Sequence, residues 1–276
     1  MSRNFQIAIF SLFFLFCHIE KSFSQDEEKP TKASYKDPTT LLWLNTYGNV
    51  RISNRLFWIA QTHLRFQESE NIPFAGQIAQ VYNRHAISYL FSKQLNVSLG
   101  GVLRINFNPN DNLDDLNEKR SVAEWRIWHQ YQFAMPFDRF MVYHRLRLEH
   151  RWTRTYENNS DYFFRNRYRY MLKFKIPLNK PKLGPRTFYV SPEAELIMQS
   201  GERVVNSPME DLRLHSSVGY IINSRVTVAA GLMYSQGQDL NDGSIYGQKW
   251  TSRFHIYFSP DIRRVKNKIP EIHTTD

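Results

Sequence analysis

The sequence has almost no cysteine and no apolar run long enough for a membrane-spanning helix. Cys17 is the only cysteine in the 276 residues. It lies in an N-terminal segment with the pattern of a cleaved signal, so the mature chain has no disulfide framework, cysteine metal site or cysteine nucleophile. The longest apolar run, Phe5 to Cys17, is shorter than the roughly 20 residues that a spanning helix needs. Any insertion into a membrane must therefore use β-strands.

Motifs of metal and nucleotide chemistry are also missing. The chain contains no His-Glu-x-x-His pair, no P-loop and no glycine-rich dinucleotide motif. Each of these motifs marks a defined kind of metal or nucleotide site. The sequence therefore predicts neither a metal nor a cofactor.

The N-terminus has the pattern of a signal peptide. Arg3 precedes the apolar run and Ser22-Phe23-Ser24-Gln25 follows it, which favours cleavage after Ser24. An uncleaved helical anchor is the alternative. Lipid attachment at Cys17 is not expected, because Phe16 stands where a lipoprotein signal has a small residue.

The chain is basic, with a formal net charge of +10. Such a charge suits a nucleic acid, an anionic lipid or an anionic solute as partner. Proteins that bind nucleic acid cluster their basic residues on an exposed face or helix, whereas these arginines alternate with apolar residues along strands. No nucleic-acid partner is therefore predicted.

Two runs between Met141 and Lys175 alternate between charged and apolar residues with the period of a β-strand. The charged face is too dense for an ordinary core, and the apolar face is too long and aromatic for water. The pattern favours a barrel with lipid outside and a polar interior. The charged face holds Tyr143, Arg145, Arg147, Glu149, Arg151, Arg165, Arg167, Arg169, Lys173 and Lys175.

The same alternation recurs along the chain, and the connections between strands alternate between mostly short and mostly long. This alternation is typical of an outer-membrane barrel. We predict an all-β fold, a closed antiparallel transmembrane β-barrel of roughly 10 to 12 strands, with about twelve favoured because bacterial single-chain barrels have even numbers. The predicted strands are 41–48, 55–67, 78–91, 95–107, 120–133, 141–152, 165–175, 187–199, 211–222, 226–235 and 248–258.

That list is odd in number, so either Thr31 to Tyr35 adds a strand or Leu41 to Gly48 is not a full one. Pro192 falls inside a predicted strand and indicates a bulge. The whole chain is divided into a signal peptide (1–24), a flexible periplasmic lead-in (25–40), the barrel (41–259) and a periplasmic basic tail (260–276).

Opposite charges are predicted to pair inside the barrel. Like charges directly opposite each other are unfavourable, so the arginines of the hairpin need acids from neighbouring strands. Registers set from the turns predict Arg151 opposite Arg165, Glu149 opposite Arg167, Arg147 opposite Arg169, Glu195 opposite Arg167, Glu193 opposite Arg169, and Glu124 near Arg147. The predicted network consists of Glu124, Arg126, Arg145, Arg147, Glu149, Arg151, Arg165, Arg167, Arg169, Glu193 and Glu195.

Two interpretations of this network stay open. It either only fills and stiffens the lumen, since buried charges must be paired, or its surplus of arginine attracts anions. A catalytic alternative is a lipid hydrolase of the phospholipase or lipid A deacylase type. It would use His215 and Ser217, which share one face as base and nucleophile require. Alternation, however, turns both side chains into the lumen and away from lipid.

The sequence resembles a family of uncharacterised outer-membrane β-barrel proteins, a domain of unknown function common in Bacteroidetes-type bacteria. The resemblance covers roughly residues 41–259 and implies the fold and an outer-membrane location, with no activity to carry over. The residues that carry it are Trp43, Leu64-Arg65-Phe66, His144 to Arg151, Phe164 to Tyr170, Ile176-Pro177-Leu178-Asn179, and Ser24-Gln25 at the cleavage site.

A non-enzymatic protein of the cell outer membrane is therefore expected. It is either a structural or accessory subunit or a narrow anion-preferring pore. Its expected partners are outer-membrane lipid, small anions and another outer-membrane protein.

Overall fold

The described strands form one closed β-barrel. The computed structural model describes residues 33–109, 118–204, 209–239 and 243–265. The predicted signal peptide and most of the predicted C-terminal tail lie outside these ranges. No helix in the described ranges is long and apolar enough to cross a membrane. The strands are β1 Ser34–Tyr35, β2 Thr39–Arg51, β3 Leu56–Ser69, β4 Ile72–Leu90, β5 Leu95–Phe107, β6 Ser121–Pro136, β7 Met141–Thr153, β8 Phe163–Pro177, β9 Thr187–Gly201, β10 Met209–Ile221, β11 Val226–Gln238 and β12 Ile245–Phe258.

The barrel closes through a parallel pair. From β2 to β12 each strand runs antiparallel to the next, and β12 then pairs with β2 in parallel. The short β1 pairs with the start of β12, and β2 pairs with the rest of β12, so β1 and β2 follow each other along one position of the barrel wall. The wall therefore consists of the eleven long strands β2 to β12, which we call staves. The predicted closed barrel of 10 to 12 strands is confirmed, with eleven staves and the short β1 making twelve strands, and β1 lies within Thr31 to Tyr35, where the sequence allowed an additional strand. The pairing is mostly antiparallel as predicted, and only the pairings of β12 with β1 and β2 are parallel. Eleven staves make the first and last strands run in the same direction, which requires a parallel closing pair.

The two ends of the barrel differ in their connections. At one end, called the turn end, strands are joined through 52–55, 91–94, 137–140, 178–186 and 222–225. At the other, called the loop end, most connections are longer: 108–120, 154–162, 202–208 and 239–244. The predicted loop near 68–77 is wrong, because β3 and β4 continue to Ser69 and Ile72. Irregular pairing in this hairpin and a positive φ at Phe74 obscure the alternation there.

Side chains alternate between a polar interior and an apolar outer wall, as the pleat requires. On β5, Asn96 and Ser98 are at most 2% exposed, whereas Leu99 is 62% exposed. Aromatic side chains stand on the outer wall near both ends. Those near the loop end include Trp125, Trp152 and Trp250, and those near the turn end include Trp58, Tyr89, Phe91, Phe137 and Phe188.

One local prediction, the bulge at Pro192, is wrong, and the pairing extends a little beyond the predicted barrel at both ends. Pro192 causes no bulge, because β9 keeps one register with β8 and β10 on both sides of it. Next to this proline, the Ser191 hydroxyl donates a hydrogen bond to the backbone carbonyl of Phe174 on β8 at 2.7 Å. Strand pairing begins at Ser34, inside the predicted lead-in. The start of the predicted tail is also paired, since the backbone of Asp261 forms an isolated parallel β-bridge with that of Arg51.

Candidate functional site: the charged lumen

The odd-numbered residues of β7 and β8 point into the barrel and bring the predicted hairpin charges together. The register places Arg147 opposite Arg169, Glu149 opposite Arg167, and Arg151 opposite Arg165. These three pairings were predicted from the sequence and are confirmed. All six side chains are buried.

Glu149 lies at the centre of this cluster and is 1% exposed. Its carboxylate accepts hydrogen bonds from Arg126 at 2.7 Å and from Arg169 at 2.9 Å. Three further guanidinium groups lie within 3.9 Å, those of Arg84, Arg147 and Arg167. One buried acid therefore holds together arginines from four different strands.

Glu124 forms a second centre toward the loop end. Arg126 donates to it at 2.5 Å, Arg151 at 3.1 and 3.2 Å, and Arg104 approaches to 3.1 Å. The predicted contact of Glu124 with Arg147 is wrong, since Arg147 lies opposite Gln130 and donates to it. The β6–β7 turn is centred further along the chain than its proline suggests.

Glu195 and Glu193 pair with residues further along β8 than predicted. Glu195 is opposite Met171 and Glu193 is opposite Lys173, four positions from the predicted register. Glu195 nevertheless accepts hydrogen bonds from Arg145 and Arg169, both at 2.7 Å. Glu193 lies 3.8 Å from Lys173 and 3.9 Å from Arg253.

Glu210 is a member of this network that the sequence interpretation missed. It binds Arg151 at 3.1 Å and forms an ion pair with Arg167. An irregularity between Met209 and Asp211 interrupts the alternation at the start of β10, so Glu210 and its neighbour Asp211 both reach the lumen. Alternation alone cannot predict this, because a bulge changes which face a residue occupies.

Inward aromatic rings hold several of the guanidinium groups. The Arg65 guanidinium lies 3.6 Å from the ring centre of Trp43 and 4.2 Å from that of Tyr82. Arg147 lies 4.8 Å from the ring centre of Trp128. Such contacts favour a cation electrostatically and fix its position. The alternation of β4 and β6 places Tyr82 and Trp128 inside the barrel, so this position is visible in the sequence, whereas the arginine contacts are not.

The open space in the lumen is uneven. A cavity of about 550 Å³ occupies the loop end, and we call it the vestibule. A second cavity of about 70 Å³ lies near His63, His215 and His255, and a third of about 40 Å³ lies beside Trp128. Arg84 and Arg169 line both the vestibule and the second cavity, and Arg145 and Arg147 line both the second and the third. The vestibule walls include Arg65, Arg104, Arg165, Arg167, Arg213 and Lys249.

Basic groups outnumber acidic ones in the lumen by more than two to one. In the described ranges the cations that are buried in the lumen or line its cavities are Lys36, Arg65, Arg84, Arg104, Arg126, Arg145, Arg147, Arg151, Arg165, Arg167, Arg169, Lys173, Lys175, Arg213, Arg225, Lys249 and Arg253, and the corresponding acids are Asp37, Glu124, Glu149, Glu193, Glu195, Glu210, Asp211 and Asp239. Burying an uncompensated charge is costly. The lumen is therefore chemically suited to anions.

His215 and Ser217 both point into the lumen and are 6% exposed. Neither ring nitrogen of His215 has a hydrogen-bond partner among the described residues. The base-to-nucleophile hydrogen bond on which the hydrolase alternative depends is therefore not formed. No group of three potential ligands in the described part of the chain could hold a metal ion.

Comparison with known proteins matches the barrel to one family. The profile of a family described as Protein of unknown function (DUF2490) matches residues 40–245. Among curated proteins, none matches the chain.

Proposed function

The chain belongs to the family described as Protein of unknown function (DUF2490), and from the lumen that its strands enclose we propose that it is a non-enzymatic outer-membrane barrel with a narrow, anion-preferring interior. One observation carries this proposal. The inward basic side chains greatly outnumber the acids that pair with them.

The outer wall supports a membrane location. Soluble monomers rarely expose contiguous apolar patches larger than a few hundred Å², yet every long strand presents apolar side chains outward, among them Ile87, Leu99, Ile127, Val218 and Phe254. Aromatic residues near both ends match the girdles of outer-membrane barrels. The strands of 13 to 19 residues exceed the roughly 9 to 11 that a tilted spanning strand needs.

The filled middle of the lumen limits what can pass. The two smaller cavities, of about 70 and 40 Å³, have room for only a few water-sized groups, because one water occupies about 30 Å³ in the liquid. Arg84 lines both the vestibule and the second cavity, the one near His63. Anions that enter from the loop end therefore meet positive charge before the narrowest region.

The proposal is tested by current across a planar bilayer that contains the purified protein under a KCl gradient. We expect a small conductance with a reversal potential of anion preference, and a weaker preference in Arg84→Gln. Lys93→Gln, which removes a cation from the 91–94 turn, is the matched control and should behave as the native protein. Cation preference or the absence of current would refute the pore. Co-purification with another outer-membrane protein in mild detergent would then favour the accessory role.

A further inference from the structure

The vestibule contains basic groups that form no ion pair with a carboxylate among the described residues. Arg165 is 5% exposed, and within the described ranges the one hydrogen bond of its side chain is donated to Gln199 at 3.3 Å. Arg65 donates to Gln80 and to the Tyr82 hydroxyl, both neutral groups. The Lys249 ammonium group forms no hydrogen bond or ion pair with the described residues, and Lys249 lines the vestibule.

The donors of these groups are incompletely used. The Nε atoms of Arg65, Arg104 and Arg165 are buried and have no hydrogen-bond partner within the described ranges. A buried donor that lacks a partner costs free energy, and the cost is larger for charged groups. A ligand with anionic acceptors would remove this cost.

The acids that line the vestibule are mostly engaged elsewhere. Glu210 binds Arg151 and Arg167, Asp211 binds Arg213 at 2.6 Å, and at the rim Asp239 binds Lys36 at 2.8 Å. Asp37 also stands at the rim. Among the described residues, no carboxylate therefore lies within ion-pair distance of Arg65, Arg165 or Lys249, which leaves these side chains available to a ligand.

The positions of the three cations indicate a multivalent ligand. Arg65 on β3 and Lys249 on β12 lie on one side of the barrel, separated only by β2, whereas Arg165 on β8 lies across the vestibule from them. A ligand with more than one anionic group can pair with both sides at once. A volume of about 550 Å³ falls within the range of about 300 to 1,000 Å³ that is typical of ligand pockets.

The chemistry of the cations favours phosphate groups. The planar guanidinium fork matches phosphate bidentately, and a phosphate monoester carries about −1.5 to −2 charges at neutral pH. The rings of Trp43 and Tyr82 contact the Arg65 guanidinium and fix its position before a ligand binds. We infer that the vestibule binds a ligand with two or more phosphate groups, an inference that rests on the proposed anion-preferring lumen.

Two sources share this chemistry, a free oligophosphate and a lipid headgroup with two phosphates. Calorimetric titration of the full, folded protein in zwitterionic detergent distinguishes them, with tripolyphosphate in one arm and a short-chain bisphosphorylated lipid in the other. We expect tripolyphosphate to bind, and to bind more tightly than acetate at equal ionic strength. Binding of the lipid alone would assign the headgroup as the source, and binding of neither would overturn the inference.

Variants locate the binding. Arg165→Gln and Lys249→Gln should each weaken tripolyphosphate affinity about tenfold or more, since each removes charged hydrogen bonds. Lys93→Gln at the turn end should leave the affinity unchanged, and heat-modifiable migration in gels verifies folding. Equal affinity in all four proteins would overturn the inference.

This inference and the proposed pore can fail separately. An anion-preferring current without oligophosphate binding would overturn only this inference, whereas oligophosphate binding by a cation-preferring barrel would overturn only the proposed pore.

Discussion

At the scale of single residues, Glu149 organises the interior. It is 1% exposed and contacts five arginines. Removing one partner of a buried ion pair is much more destabilising than replacing the whole pair, because the remaining charge keeps its burial and loses its counter-charge. At this site the remaining charges would be several arginines that face one another.

We therefore expect Glu149→Gln to lower the free energy of unfolding by about 3 to 5 kcal/mol. Urea denaturation in detergent, followed by tryptophan fluorescence, measures this change. Glu70→Gln, in the exposed turn between β3 and β4, is the control and should unfold as the native protein does. An unchanged midpoint for Glu149→Gln would show that the network contributes no stability.

The inward position of this residue was predictable, but its contacts were only partly so. Alternation places Glu149 and its neighbours inside, and the opposition to Arg167 follows from a link centred near Asn158. The contact with Arg126 depends on the β6–β7 register, which differs from the predicted one. The contact with Arg84 on β4 depends on the curvature of the barrel, which brings together strands that are not neighbours in the sheet. Strand periodicity carries no information about that distance.

At the scale of elements, the seam between β2 and β12 depends on a glycine. A Cβ at Gly48 would lie 2.6 Å from the Phe258 ring and 2.7 Å from the Ala60 carbonyl oxygen. The Phe258 ring therefore occupies the space that a side chain would fill, at the last residue pair of the parallel closure.

Gly48→Ala should consequently destabilise the closed barrel, because the Ala60 carbonyl belongs to the backbone and cannot move aside easily. A lower temperature of heat-modifiable migration measures the effect. Gly184→Ala is a matched control, since a Cβ there meets nothing within 4 Å. Identical unfolding temperatures for the two variants would contradict the steric argument.

Strand existence was easier to predict than strand register. The sequence indicated the eleven long strands, because each shows apolar and polar residues in alternation. The β8–β9 register was wrong by four positions, since two prolines and a positive φ at Arg186 make the 178–186 turn asymmetric. A turn displaced by two residues moves every pair by four, which changed the predicted partners of Glu193 and Glu195.

At the scale of the whole molecule, the apolar outer wall predicts where the protein is found. We expect it in the outer-membrane fraction, resistant to alkaline extraction, with a mature N-terminus at Gln25 after signal cleavage. Cell fractionation with N-terminal sequencing measures both properties. Recovery in the soluble fraction would contradict the membrane proposal, and a retained Met1 would favour the uncleaved anchor.

Because the number of staves is odd, the chain segments before and after the barrel lie at its opposite ends. The chain enters the barrel at Thr39 at the loop end and leaves it after Phe258 at the turn end. No short linker could join these points, because a stave of 13 residues spans about 43 Å along its length. In a membrane, epitopes fused to the two flanks would therefore be reached from opposite compartments, so the lead-in and the tail cannot both be periplasmic as the sequence suggested.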